Sequence, residues 1–253
     1  MLSYRMDFWA QFLGSLLAQF GVAWFLWKSI YASRHVDHVE TFSFAGMMLY
    51  YIAAPLTAKT VQSSEIGDIC EDIYSGGLNR YLVYPVSFFR YKLAASSASS
   101  FVFALQFALV LAAFALTVGI PAEFRITPLS LVAGAVSIAL AAYVYFVMIA
   151  TIELAAFWAD NVWSLVVIVR FLTGLLGGAM LPLSLFPEWA QSTLYRLPFA
   201  YFIAFPVETI LGIPSGLNWG LGMLVLTAWG VVMTLIYRAV WERGKHHYTG
   251  VGI

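Results

Sequence analysis

Charged side chains are scarce in this chain. Only 10% of its residues are Asp, Glu, Lys or Arg, whereas 62% are hydrophobic, and an ordinary soluble domain carries about 25% charged residues. With a mean hydropathy of +0.83, the composition is that of an integral membrane protein. The formal net charge is zero, and the absence of any long Lys/Arg cluster gives no reason to expect a nucleic-acid partner. Cys70 is the only cysteine, which excludes an intramolecular disulfide and a thiolate metal cluster. Histidine is nearly as rare. His35, His38, His246 and His247 all lie outside the hydrophobic runs, so none is placed to act as an intramembrane base or an axial haem ligand. His35 and His38 with Glu40 could hold a metal, but no matching ligand cluster occurs elsewhere, and a solvated loop is the ordinary reading. The glycine-rich phosphate cradle is also missing, because Lys28-Ser29 and Lys59-Thr60 lack the G-x-x-x-x-G that precedes the Lys of a P-loop. The chain therefore has no apparent catalytic residue, cofactor site or metal site. Any ATP hydrolysis linked to it belongs to another polypeptide.

What is present is a series of membrane-length apolar runs. A bilayer core of about 30 Å needs about 20 helical residues. Six segments meet that need: Phe8 to Trp27, Thr41 to Ala58, Leu93 to Ile120, Leu129 to Ile152, Val162 to Leu183 and Trp219 to Tyr237. The first is longer than the roughly 7–15 residues of a signal-peptide core and has no small-residue cleavage site, so it reads as a retained span. With the N-terminus inside, the connecting segments place eight Lys/Arg inside and four outside, which predicts an N-in, C-in topology. Tryptophans near span ends, such as Trp27, Trp163, Trp189 and Trp219, fit the membrane–water interfaces. No internal repeat and no Ser/Gly-rich linker divides the chain, so residues 1–253 read as a single all-α transmembrane domain.

The exception to this apolarity is the stretch from Gln62 to Lys92, which follows the second run and holds four of the thirteen acidic and three of the thirteen basic residues. Ile66, Ile69 and Ile73 recur at helical spacing, while Glu65, Asp68, Glu71 and Asp72 fall mostly elsewhere on the surface. Gly76-Gly77 predicts the end of that helix. A second short element carrying Arg80 follows and breaks at Pro85. By topology the segment is cytoplasmic, and its character suits a contact with another protein.

Arg170 is the one charge inside a predicted span. It lies about 12 Å along the fifth helix at 1.5 Å per residue, where a charge costs at least about 2.5–3.5 kcal/mol and usually faces a partner or a cavity. Glu153 and Asp160 are the candidate partners of a pathway-lining or state-dependent ion pair; a structural pair, or snorkelling if the helix starts elsewhere, is the ordinary alternative. Gln11, Ser15 and Gln19 form a polar stripe on the first span. Such a stripe either lines a hydrophilic route or makes interhelical hydrogen bonds, the commoner use. Gly174 and Gly178 form a G-x-x-x-G pattern on the fifth span, and Ser96, Ser97, Ser99 and Ser100 a small-residue stripe on the third; both predict close helix packing. Between the fifth and sixth spans, Pro182, Pro187, Pro198, Pro206 and Pro214 interrupt an aromatic sequence. Residues 187–214 therefore predict a helical hairpin re-entering the outer leaflet, its breaks covered by protein or lining a cavity.

Three stretches together resemble the type-2 class of ABC transporter permeases, in particular short bacterial members paired with a second permease. They are Glu71 to Pro85 (EDIYSGGLNRYLVYP), Phe157 to Trp163 (FWADNVW), and Gly177 to Trp189 (GGAMLPLSLFPEW) continuing through Leu197 to Pro206 and Leu211-Gly212. The family's amphipathic N-terminal interface helix can be only vestigial here, since seven residues precede the first run. The resemblance implies a permease subunit of an exporter in the bacterial cytoplasmic membrane. Two permeases, identical or different, would form the pathway, and two cytoplasmic ATPase subunits holding ATP and Mg would drive it. It implies that residues 62–92 form the coupling segment, with Glu65, Ile66, Ile69, Glu71, Asp72, Ile73, Gly76, Gly77, Arg80 and Pro85 as candidate contacts. The isoleucines would either grip the ATPase or pack on the membrane domain, and the charged side chains would pair across the contact. The implied pathway or gate residues are Gln11, Ser15, Gln19, Arg170, Gly177, Gly178, Pro182, Pro187, Pro198 and Pro206. A secondary transporter and a non-transporting scaffold are the competing classes. The first would be expected to show paired broken helices or intramembrane carboxylates, and apart from Arg170 the predicted spans are uncharged.

Overall fold

The computed structural model describes residues 2–213 and 218–248. Apart from a two-residue antiparallel ladder, β1 (His38–Val39) with β2 (Phe42–Ser43), the described chain is all-α. Helix α1 runs unbroken over Leu2–Arg34, about 50 Å at 1.5 Å per residue. No separate interface helix precedes it among the described residues. Only one side of α1 is covered, through Ala23, Trp27 and Tyr31 at four-residue spacing. Trp24 and Tyr31 meet Phe44 edge-on, at ring-centroid distances of 4.9 and 5.7 Å.

Helix α2 (Phe44–Val61) is the central element and is buried on nearly every side, contacting α1, α5 (Phe88–Thr117), α6 (Pro128–Glu153) and α10 (Ala204–Leu211). Ser43 caps it by accepting the Gly46 N–H, and the Glu123 carboxylate in turn accepts the Ser43 N–H at 2.9 Å and its hydroxyl at 2.5 Å. A carboxylate at a helix N-terminus complements the partial positive charge there, so the loop after α5 (Phe88–Thr117) is tied to the start of α2. The next helix, α6 (Pro128–Glu153), opens with a Thr127/Ser130 capping box and Pro128 in its first turn. It packs on α11 (Trp219–Gly244) and on α10 (Ala204–Leu211). Close approach requires glycine at two points in these contacts. A Cβ on Gly134 would stand 2.1 Å from the Ile210 side chain, and one on Gly222 would stand 2.2 Å from the Phe205 ring.

Among the described residues, four helical stretches are long and apolar enough to cross a membrane: Trp9–Arg34, Phe88–Thr117, Pro128–Phe157 and Trp219–Gly244. The chain is a multi-span helical membrane protein. The second and fifth expected spans correspond to shorter helices, α2 with 18 residues and α7 (Trp163–Leu176) with 14. The fifth ends early for a local reason. Gly178 has a φ of +91°, a left-handed conformation that glycine adopts freely and that stops a helix. The expected G-x-x-x-G contact is therefore not made. Gly178 lies beyond the helix, and a Cβ on Gly174 would have only ordinary contact, 3.6 Å from Met180.

The proline-punctuated stretch forms three short helices, α8 (Glu188–Leu194), α9 (Phe199–Phe202) and α10. Pro187 and Pro198 stand immediately before α8 and α9, and Pro206 lies in the first turn of α10, positions where a missing N–H costs little. Pro214, the expected end of the hairpin, lies outside the described residues.

Candidate functional site

The polar stretch folds into α3 (Asp68–Tyr74) and α4 (Leu78–Leu82), close to the expected boundaries. Gly67 and Gly76 take left-handed φ values of +87° and +76°, marking the start of α3 and the turn after it. Ile69 and Ile73 are buried and Ile66 is half-buried, with α3 packed on the turn at Leu154–Phe157. Of the two roles open to the isoleucines, packing on the membrane domain is the one observed.

Three side chains from the membrane helices α5, α6 and α7 hold this segment. Glu153, the last residue of α6, is 1% exposed and accepts the backbone N–H groups of Gly67 at 3.0 Å and Ile69 at 2.8 Å. A carboxylate is disfavoured at the negative C-terminal end of its own helix, but here it faces the first N–H groups of α3, which no residue within α3 satisfies. Lys92, in the second turn of α5 and 4% exposed, bridges Asp68 at 2.7 Å and Asp72 at 2.5 Å. Asp72 also pairs with Arg80 at 3.0 Å. Finally, Arg170 of α7 reaches the residues that follow α2, donating to the Gln62 side-chain oxygen at 3.3 Å, the Ser64 carbonyl at 3.2 Å and the Gln62 carbonyl. A further tie joins the Tyr74 hydroxyl to the Ala159 carbonyl at 2.7 Å.

One expectation is corrected by these contacts. Arg170 makes no ion pair with Glu153 or Asp160 among the described residues; its guanidinium instead meets carbonyls at the C-terminal end of α2, where a cation is favoured. Asp72 and Arg80 pair with each other within the chain, and the exposed Arg80 keeps further N–H donors.

The outward side of the segment differs from the buried one. Glu65, Glu71, Arg80, Pro85, Tyr84 and Val86 are exposed, and Val83 is 83% exposed. Gly77 begins α4 in a tight position, where a Cβ would approach the Asp72 carboxylate to 2.8 Å. Within the segment the Cys70 thiol is pushed up to about 11, first by burial and then by the nearby Glu153 charge. The exposed Arg80 is held protonated by its hydrogen bond to the Tyr81 hydroxyl and by Asp72.

The remaining candidates lie apart from this cluster. Gly177 and Gly178 stand at the far end of α7, where the Gly177 carbonyl accepts the Ala204 N–H at 2.8 Å and the Gly178 carbonyl accepts the Tyr50 hydroxyl at 2.8 Å. Pro182 precedes a short turn, Leu183–Leu185, beside them. Gln11, Ser15 and Gln19 are exposed along α1, and Ser15 bonds only to the Phe12 carbonyl of its own helix. The interhelical hydrogen bonds expected of that stripe are absent among the described residues.

Sequence reasoning missed Lys92, Gln62 and Tyr74, and it gave Glu153 the wrong partner. The position of Glu153 as the last residue of an otherwise uncharged span was the available signal. Among the described residues no group of His, Cys, Asp and Glu is arranged to hold a metal.

None of the curated proteins compared with the chain matches it. Residues 17–252 match the family model described as ABC-2 family transporter protein. A long-helix membrane domain matched over nearly its whole length belongs to that family, and the chain is an ABC-2 type membrane permease.

Proposed function

We propose that the chain is one permease subunit of an ATP-driven exporter, in which residues 62–92 receive the motion of a cytoplasmic ABC ATPase and pass it to the membrane helices. The observation that carries this reading is the way the segment is held. Its inward side is fixed to α5, α6 and α7 by Lys92, Glu153 and Arg170, while its outward side offers Glu71, Val83, Tyr84 and Val86 to a partner. A force on that outer side displaces α5, α6 and α7 at once.

In this arrangement α2 and α7 are the second and fifth of six spans, and both termini and the segment lie on the cytoplasmic side of a bacterial inner membrane. The α8–α10 hairpin on the opposite face acts as the outer gate, hinged where Tyr50 and Ala204 hold the Gly177-Gly178 turn. The second permease covers α1. Gln11 and Gln19 are exposed on a helix that faces lipid in the single chain, and amide side chains in hydrocarbon favour hydrogen-bonding partners on a neighbouring helix. ATP binding would then shift the population between inward-open and outward-open arrangements.

Gentle solubilisation of native membranes and affinity capture of the tagged chain tests this reading. An ABC ATPase is expected in stoichiometric yield from the wild type and in strongly reduced yield from a Glu71→Lys/Tyr84→Ala variant of equal expression. Capture of no ATPase, or equal capture by both, contradicts it.

A further inference from the structure

Two cavities lie against α5 and α6. One, of about 330 Å³, lies beside the α3–α4 segment and is polar, with Ser63, Glu65, Asp68, Arg80, Lys92 and Glu153 among its lining residues. The other, of about 580 Å³, is apolar and includes Phe101, Ala104 and Ala108 of α5 and Ala135, Ala139 and Ala142 of α6. Both volumes fall within the range of about 300–1,000 Å³ typical of small-molecule sites. Ser96 lines both cavities, and at that junction the Ser63 hydroxyl stands 2.7 Å from the Ser100 hydroxyl and 3.3 Å from that of Ser96.

The apolar cavity exists because α5 and α6 face each other there largely through alanine and serine, too short to meet. Its lining on α5 extends from Leu93 to Leu111, about 27 Å at 1.5 Å per residue. Ser97, Phe101, Ala135 and Ala139 are exposed, so the groove opens sideways to the bilayer. A long apolar groove that opens to lipid and adjoins a polar chamber at Ser96 fits an amphiphile.

The charges in the chamber narrow the headgroup. Lys92 is occupied by Asp68 and Asp72, and Glu153 by two backbone N–H groups. Glu65 makes no ion pair or hydrogen bond among the described residues. Arg80 uses one terminal nitrogen for both Asp72 and Tyr81, which leaves other donors of its five N–H groups for an anion. The chamber thus offers a carboxylate for a cation and a guanidinium for a phosphate.

We propose that the α5/α6 seam is a lipid-binding site that takes a zwitterionic phospholipid with a primary-amine headgroup. The ammonium lies against Glu65, the phosphate against Arg80, the ester region beside Ser96 and Ser100, and an acyl chain in the alanine-lined groove. An anionic glycerol headgroup supplies no cation to Glu65. A choline headgroup supplies the charge without an N–H donor. The site requires neither ATPase nor a second permease, so its test is independent of the transport reading.

The chain is reconstituted in nanodiscs with phosphatidylethanolamine, phosphatidylcholine or phosphatidylglycerol bearing a photoreactive acyl chain, and the labelled peptides are mapped by mass spectrometry. The ethanolamine lipid is expected to label α5 and α6 peptides at least several-fold more than the other two. Ala104→Phe/Ala139→Phe, which fills the groove, is expected to lower that labelling by about an order of magnitude. Glu65→Gln, at an exposed position, is expected to abolish the headgroup preference while α5/α6 labelling persists. Labelling that is equal for the three lipids, or a headgroup preference unchanged in Glu65→Gln, overturns the proposal even if the groove variant fails to fold.

Discussion

Replacing Glu153 by Gln tests how the segment is attached with little change in volume. The carboxylate accepts two backbone N–H groups at 2.8–3.0 Å in a site where the side chain is 1% exposed. A hydrogen bond to a charged group contributes about 1.5–3 kcal/mol, and a buried donor left without an acceptor costs about 1–3 kcal/mol. The amide keeps one acceptor oxygen but turns an NH2 toward the other N–H. A net loss of about 2–3 kcal/mol in the local stability of α3 follows, corresponding to roughly 30- to 150-fold more frequent opening, since about 1.4 kcal/mol is a factor of ten. Hydrogen–deuterium exchange of the detergent-solubilised protein reads this directly. Amides of residues 67–75 are expected to exchange faster by about that factor in Glu153→Gln, with the α6 core at residues 141–150 unchanged. Identical exchange at 67–75 in variant and wild type would refute the claim that Glu153 anchors the segment.

Other outcomes follow from the same contacts. Arg170→Met removes the donor to the Gln62 and Ser64 carbonyls; exchange of residues 62–66 should rise about tenfold or more, with Arg170→Lys intermediate. Cys70 is buried and its thiol is pushed up to about 11; because the thiolate is the nucleophile, maleimide labelling at neutral pH should be negligible in the wild type and should appear in Glu153→Gln. Burial alone would raise the Glu123 carboxyl, but the hydrogen bonds from Ser43 outweigh it and the group is held below its ordinary value. A depressed carboxylate stabilises the fold above its unfolded pKa and loses that contribution as pH falls through its folded pKa. Thermal stability of the wild type should therefore drop below about pH 4 by more than that of Glu123→Gln. Gly134→Val places a side chain where Ile210 already stands, and an overpacking cost of about 1–3 kcal/mol should appear as a lower unfolding temperature.

The sequence made the segment legible because its signals are local. Ile69 and Ile73 recur at helical spacing on α3 with Ile66 just before it, and Gly76 ends the helix within a residue or two of where a reader would stop. The attachment of that segment was not legible. Glu153 meets its partners 84 and 86 residues away, and those partners are backbone N–H groups, which carry no residue signature. Arg170 misled for a related reason: a charge in a span suggests an opposite charge, whereas helix-end carbonyls serve equally well and leave no trace in composition. The fifth span looked long because apolar residues continue past Leu176, and hydropathy does not register that Gly178 turns left-handed. The exposed stripe on α1 shows the converse limit. Its polarity is plain in the sequence, but Gln11, Ser15 and Gln19 stand exposed and meet no interhelical partner among the described residues.

The central claim is that the outward side of residues 62–92 touches the ATPase. A photoreactive amino acid placed at Val83, which is 83% exposed, tests it in intact membranes without relying on stability or yield. Irradiation is expected to produce one dominant adduct, with an ABC ATPase, that weakens when Glu71 is replaced by Lys. Adducts formed only with lipid, with a second copy of this chain, or with a protein of the opposite membrane face would contradict it.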